Sequence, residues 1–166
     1  ENTLDAFNEA LKQGFSLELD VQKSNDDILV INHDTNLKRQ YCIDKDLTSL
    51  PYDKLRQIGL PKLSDVLASF QNLYNNQLVL AMHVKDEKQG DIIPLLANTL
   101  EEIHLYNNYF LFDLTMDGAK KVKDINPNLR IGLSVGEKRY FDSIYLWEDV
   151  RDCEEMDVIW WDEWHS

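Results

Sequence analysis

The most constraining feature of this chain is a strand-like segment with acids at alternate positions, Glu18-Leu19-Asp20-Val21. Side chains two residues apart in a strand project from the same face. Glu18 and Asp20 are therefore expected on one face, with the flanking apolar residues on the other. Two carboxylates held this close repel each other, and a divalent cation with oxygen ligands relieves that repulsion. The pattern predicts a metal site; two solvated acids on an exposed strand are the simpler alternative.

A histidine follows this strand after a turn-like stretch, at His33-Asp34. Imidazole exchanges protons near neutral pH, so His33 is a candidate general acid or base beside the two acids. The alternative is a structural histidine at a strand end, with Asp34 holding its ring.

Composition narrows the class of protein. The 166 residues fit one domain, and the 30 acidic against 17 basic residues argue against non-specific binding to nucleic acid or an anionic membrane. No apolar run reaches transmembrane length. Cys42 and Cys153 lack metal or redox spacing, so reduced thiols are expected; the compartment stays open, with the cytoplasm slightly favoured. The absence of an initiator Met suggests that the chain begins inside a longer protein.

Strand and helix patterns alternate along the chain. The predicted strands cover 16–21, 28–33, 78–85, 109–114, 129–135 and 157–162. The predicted helices cover 3–13, 51–58, 62–74, 90–106, 116–124 and 142–151. Asn2 is expected to cap the first helix and Gly14 to end it. The stretch 34–49 is expected to be irregular.

Polar residues stand at the carboxyl end of nearly every predicted strand. They are Glu18 and Asp20, His33, His83 and Lys85, Asp113, Ser134, and Asp162 or Glu163. A barrel gathers residues from many strand ends at one mouth, whereas an open doubly wound sheet, the alternative, builds its site at the switch point. The pattern favours an α/β fold of the TIM-type (β/α)8 barrel. Because roughly 250 residues are typical of that fold, we expect residues 1–166 to form a single barrel domain truncated at both ends.

Several motifs carry a resemblance to one family. They are Glu1-Asn2-Thr3-Leu4 with Ala6-Phe7, Glu18-Leu19-Asp20-Val21, His33-Asp34 with Arg39, Pro61-Lys62-Leu63, and Val84-Lys85. In this order they resemble the glycerophosphodiester phosphodiesterases, most strongly over residues 1–85.

The resemblance implies a metal-dependent hydrolase that converts glycerophosphodiesters to an alcohol and glycerol phosphate. It implies that Glu18 and Asp20 bind Ca²⁺ or Mg²⁺, that His33 is one of two catalytic histidines, and that Lys85 contacts a phosphate oxygen. In the implied chemistry a glycerol hydroxyl attacks phosphorus, and water then opens the cyclic phosphate. The implied partner is a small phosphodiester, with the oligomeric state left open.

The chain departs from the family pattern at two places. The family's His-Arg-Gly segment, which carries its other histidine on the strand before Glu1, is not in this sequence, and a Glu-x-Lys motif reads His83-Val84-Lys85. His83 is then a candidate third metal ligand, which shifts the expected preference toward Mn²⁺ or Zn²⁺. The departures keep a second hypothesis open, a degenerate homologue that binds metal or phosphate esters without turnover. Lys85 has its own alternative, a surface ion pair with Asp86 or Glu87.

Overall fold

Strands and helices alternate along most of the chain. The computed structural model describes residues 2–73, 77–85, 92–102, 108–136 and 144–161. The strands are β1 (Leu17–Lys23), β2 (Leu29–Ile31), β3 (Leu80–Val84), β4 (Tyr109–Phe112), β5 (Gly132–Val135), β6 (Ile144–Tyr145) and β7 (Val158–Trp161). The helices are α1 (Leu4–Lys12), α2 (Lys38–Tyr41), α3 (Tyr52–Gln57), α4 (Leu63–Leu73), α5 (Ile92–Glu101), α6 (Met116–Ile125) and α7 (Trp147–Val150), with a 3-10 turn at Leu47–Ser49.

The strands form two open sheets in which most pairings are parallel. One sheet has the order β2-β1-β3-β4, and a second has the order β6-β5-β7. A parallel bridge between Leu111 and Ile131 connects β4 to β5. The only antiparallel pairing among these strands is β2 with β1, where Ile31 lies opposite Val21. The arrangement is that of part of a TIM-type barrel, with β2 added as a return strand.

The main core lies between the outer face of the sheet and the helices. Alternate strand residues such as Leu19, Met82 and Leu111 are almost fully buried there. They pack in one cluster with apolar side chains of α1, α4, α5 and α6. Burial of this face stabilises the strands and turns their intervening residues toward the inner face, because strand side chains alternate.

The inner face carries a smaller apolar cluster of Ala81, Phe110 and Phe112. Gly132 makes room for it, because a Cβ atom at that position would lie 2.9 Å from Cδ2 of Phe110. Above this cluster, toward the carboxyl ends of the strands, the inner face becomes polar.

The observed elements correct several sequence predictions. The cap of α1 is Thr3, whose hydroxyl accepts from the Ala6 amide at 3.3 Å, and not Asn2. Within the stretch 34–49, residues 38–41 form a helical turn. In the predicted helix 142–151, residues 144–145 form β6 instead, and 142–143 lie outside the described residues. Strand pairing with β5 overrides helical propensity there.

Other predictions agree with the structure or fall outside its described part. Gly14 ends α1 with φ 82°, which a residue without a Cβ adopts readily. Cys42 and Cys153 are both free thiols. Asp162 and Glu163 lie outside the described residues. Among the helices that are described, none has the length and apolar character that crossing a bilayer requires.

Candidate functional site

Strand β1 presents its acids on the inner face of the partial barrel. Leu19 and Val21 are fully buried against the helices. Alternation then turns Glu18 and Asp20 to the opposite side, as predicted. Glu18 remains exposed, whereas Asp20 keeps only 6% of its surface accessible. The two acids therefore share one face but differ in their access to water.

His83 joins the acids through the register of the sheet. In the parallel pairing of β1 with β3, Asp20 lies opposite His83. One ligand atom from each of Glu18, Asp20 and His83 falls within 4.8 Å of the others. Oxygen ligands lie about 2.1 to 2.6 Å from Mg²⁺ or Ca²⁺, so ligands on opposite sides of the ion are roughly 4 to 5 Å apart. Two carboxylates and an imidazole at this spacing fit a divalent cation.

The electrostatic environment of Glu18 also favours a bound cation. Although the Glu18 side chain as a whole is exposed, neighbouring protein atoms displace part of the water around its carboxyl group and raise its pKa, and repulsion from the Asp20 carboxylate raises it further. Nearby His83, Lys85 and His33 only partly offset these effects. Ionised Glu18 is thus held at an energetic disadvantage that a bound cation would remove.

The pKa of Asp20 is shifted in the opposite direction, below its ordinary value. Burial alone would raise its pKa, but the hydrogen-bond contact with His83 and the charges of Lys85 and His33 outweigh burial and lower it. Nδ1 of His83 and Nζ of Lys85 each lie 3.3 Å from Oδ1 of Asp20. His83 and Lys85 are therefore the two side-chain partners that favour the ionised form of Asp20.

His33 reaches this region through the antiparallel return of β2. The Asn32 amide donates to the Asp20 carbonyl at 3.0 Å, which brings the following residue back beside β1. Gln22, two residues after Asp20 on β1, donates from Nε2 to the His33 carbonyl at 3.3 Å and holds His33 beside this strand. The His33 ring is about half exposed, with 53% of the side chain accessible. The predicted catalytic histidine therefore lies at the same mouth as the predicted ligands.

The His33 ring is held by its neighbour. Nδ1 of His33 lies 2.7 Å from Oδ1 of Asp34, and Nε of Arg39 donates to the other Asp34 oxygen. The pKa of Asp34 falls to about 2, first because of the Arg39 hydrogen bond and second because of His33. Asp34 is therefore ionised at neutral pH and orients the ring.

Lys85 contacts the site. Its amide donates to the Val21 carbonyl at 3.1 Å, and its ammonium group approaches Asp20. The alternative partners, Asp86 and Glu87, lie outside the described residues.

Sequence reasoning assigned no role to three further polar residues at this mouth. Nε2 of His83 lies 3.0 Å from Oδ2 of Asp113, and the Ser134 hydroxyl donates to Oδ1 of Asp113. Gln22 is fully buried and donates from Nε2 to the carbonyls of Asn32 at 2.7 Å and His33 at 3.3 Å. The available signals were the position of Gln22 two residues after Asp20 and the strand-end positions of the other two.

Fold and site together define an α/β barrel whose acids and histidines converge at the carboxyl ends of its strands, where barrels of this type place their active sites. Residues 1–137 match the model of the Glycerophosphoryl diester phosphodiesterase family, and the chain belongs to that family.

Individual relatives agree with this assignment. The chain is 39% identical to human lysophospholipase D GDPD1 over 102 residues, which is 61% of this chain and 28% of that protein. It thus spans less than a third of the length of this curated relative.

Solved structures with low sequence identity confirm the predicted fold class. A glycerophosphodiester phosphodiesterase from Parabacteroides distasonis superposes with a TM-score of 0.65 at 22% identity, covering 80% of this chain and 58% of the other. An Oleispira antarctica phosphodiesterase in complex with its product sn-glycerol-3-phosphate gives a TM-score of 0.69 at 21% identity, covering 82% and 61%. This chain therefore forms an open part of the family's TIM-type barrel.

Proposed function

We propose that the complete protein hydrolyses glycerophosphodiesters to an alcohol and glycerol phosphate, with a divalent cation held by Glu18, Asp20 and His83. The observation that carries this proposal is the spacing of these three ligand groups, within 4.8 Å of one another, in a chain of this family. His33, on the return strand beside them, supplies a group that exchanges protons near neutral pH. The proposal therefore combines a cation site with an acid–base group at one mouth.

The donor set constrains which cation binds. Carboxylate oxygens suit Mg²⁺ and Ca²⁺, whereas an imidazole in place of a third carboxylate favours Mn²⁺ or Zn²⁺ and removes one negative charge. When bound, the cation would neutralise charge on the phosphoryl oxygens of the ester. Lys85 is placed to add a second positive charge on the same side, because its ammonium group lies 3.3 Å from Asp20.

His33 is proposed to move the proton of the attacking hydroxyl. Because Asp34 faces Nδ1, the other ring nitrogen, Nε2, is the atom available to a substrate. Nε2 would take the proton of the glycerol hydroxyl as that oxygen attacks phosphorus and the P–O bond to the departing alcohol breaks, and the departing oxygen would take its proton from water. Water would then open the resulting cyclic phosphate, with the imidazole again exchanging the proton.

The names of the relatives guide the choice of substrates. One curated relative is named a lysophospholipase D, and one solved relative holds sn-glycerol-3-phosphate as product. Both names support assays with glycerophosphodiesters of small alcohols and with lysophospholipids. A small-molecule phosphodiester is accordingly the proposed partner of the site.

The test uses full-length protein stripped with a chelator and reloaded with Mg²⁺, Ca²⁺, Mn²⁺ or Zn²⁺. We expect release of alcohol from glycerophosphocholine or a lysophospholipid with at least one metal, and loss of that release in His33→Ala. Asp44→Asn, which alters an exposed ion pair with Lys38, is the matched control and should retain activity. Ester binding by calorimetry without turnover under every metal would favour the non-hydrolytic homologue instead.

A further inference from the structure

Asp113 stands in an unusual backbone conformation directly after β4. Its φ is 59°, in the left-handed region that non-glycine residues seldom occupy, although Asp and Asn tolerate it better than most. This conformation aims the carboxylate at two neighbours, His83 on β3 and Ser134 on β5. A strained residue with a fully used side chain indicates a functional constraint.

The His83 ring lies between two carboxylates. Nδ1 is 3.3 Å from Asp20, and Nε2 is 3.0 Å from Asp113. The Phe112 ring packs beside it, with the two ring centroids 5.1 Å apart. The ring is therefore fixed in orientation, with Nδ1 directed to the side of the proposed cation and Nε2 directed away from it.

A histidine binds a metal through a nitrogen that carries no proton, and the hydrogen bond at the other nitrogen decides which nitrogen that is. Asp113 already accepts a hydrogen bond from the Ser134 hydroxyl at one oxygen, and its other oxygen lies 3.0 Å from Nε2 of His83. Asp113 thus stands as an acceptor beside Nε2 and favours the His83 tautomer with its proton on that nitrogen. The Ser134 hydrogen bond also keeps this acceptor in place.

We propose that Asp113, supported by Ser134, is a positioning residue that makes Nδ1 of His83 the nitrogen ligand of the cation. The inference rests on the proposed cation site, but it concerns how the imidazole is presented and not whether the protein turns over substrate. Outer-sphere partners of this kind change metal affinity by about 10- to 100-fold.

The test measures Mn²⁺ binding to the full-length protein. Calorimetry gives the affinity, and pulsed electron paramagnetic resonance detects an imidazole nitrogen bound directly to Mn²⁺. We expect a nitrogen coupling in the wild type that is lost in His83→Ala. Asp113→Asn, which tolerates the left-handed backbone, should weaken Mn²⁺ binding by about 10- to 100-fold. Asp113→Gly, which fits the same backbone and removes the acceptor entirely, should weaken it at least as much and reduce the nitrogen coupling.

Ser134→Ala provides a second route if an Asp113 variant folds poorly, and it should weaken Mn²⁺ binding several-fold. Asp124→Asn makes the same charge change on the exposed side of α6 and is the control. Mn²⁺ affinity within twofold of wild type in both Asp113→Asn and Ser134→Ala would overturn the inference, as would a wild-type protein without nitrogen coupling.

The inference and the proposed function fail in different ways. Nitrogen coupling and weakened affinity without hydrolysis of any ester would leave the role of Asp113 standing and remove the enzymatic proposal. Metal-dependent hydrolysis with unchanged Mn²⁺ binding in the Asp113 variants would support the enzymatic proposal and remove the role of Asp113.

Discussion

Nδ1 of His33 lies 2.7 Å from Oδ1 of Asp34, so the candidate acid–base residue and its orienting carboxylate are consecutive in the chain. Arg39 donates to the other Asp34 oxygen, and Gln22 fixes the backbone carbonyl of His33. The histidine is thus held at its ring and at its backbone, and Nε2 is the ring nitrogen that does not face Asp34.

Asp34→Asn is expected to destabilise the folded protein at neutral pH by about 1 kcal/mol, a value reduced for solvent screening because 24% of the side chain is accessible. The folded-state pKa of about 2 lies below the ordinary 3.8, so this stabilisation is present above about pH 4 and is lost as the pH falls toward 2. Urea unfolding of both proteins from pH 7 to pH 2 measures the difference.

The control for this prediction is Asp44→Asn, which breaks an ion pair with 70% of the acid accessible. It should change the free energy of unfolding by less than Asp34→Asn does. A difference between wild type and Asp34→Asn that stays constant down to pH 2 would contradict the prediction.

Glu18→Gln should make the metal-free protein more stable at pH 7. The pKa of Glu18 is raised above 4.5, so its contribution favours the folded state below that pH and is lost as the pH rises. A metal at a hundred times its Kd raises the free energy of unfolding by about 2.7 kcal/mol. Because Glu18→Gln removes one proposed ligand, the variant should lose most of the metal-dependent rise in Tm. Thermal unfolding with and without Mn²⁺ tests both; a variant that keeps the full rise would rule out Glu18 as a ligand.

His83→Glu should shift the metal preference from Mn²⁺ toward Mg²⁺ and Ca²⁺, because it replaces an imidazole by a carboxylate. We expect the ratio of Mn²⁺ to Mg²⁺ affinity to fall by about tenfold, or about 1.4 kcal/mol. Calorimetric titration with each metal provides the measurement.

The new carboxylate would face Asp113, whose oxygen now lies 3.0 Å from the His83 ring, and the two would repel. The double variant His83→Glu with Asp113→Asn should therefore bind Mg²⁺ more tightly than His83→Glu alone. Equal affinities of the single and double variants would argue against this contact.

Gly132→Ala should destabilise the protein by about 1 to 3 kcal/mol, because the added methyl group would overlap the Phe110 ring. Phe110→Leu in the same chain should recover part of that loss, with a coupling of about 1 kcal/mol in a double-mutant cycle. Strictly additive effects in denaturant unfolding would mean that the two residues do not share this space.

Local periodicity accounts for what the sequence predicted well. The placement of Glu18 and Asp20 opposite Leu19 needs only the two-residue repeat of a strand. The helix stop at Gly14 likewise needs only the backbone freedom of that residue.

Long-range pairing accounts for what sequence reasoning missed. The pattern around His33 predicts a strand, but not that it returns antiparallel along β1, which depends on the turn from Ser24 to Ile28. The contact of His83 with Asp113 depends on the register of β3 with β4, where His83 lies opposite Phe112. Only tertiary structure sets such a register.

The left-handed backbone at Asp113 narrows which amino acids that position can carry as sequences drift. Glycine would keep the bend and discard the acceptor, asparagine would keep the shape and discard the charge, and most other residues would strain the chain. Under the proposed role of Asp113, substitution at this single bend would change metal affinity while every ligand stayed the same.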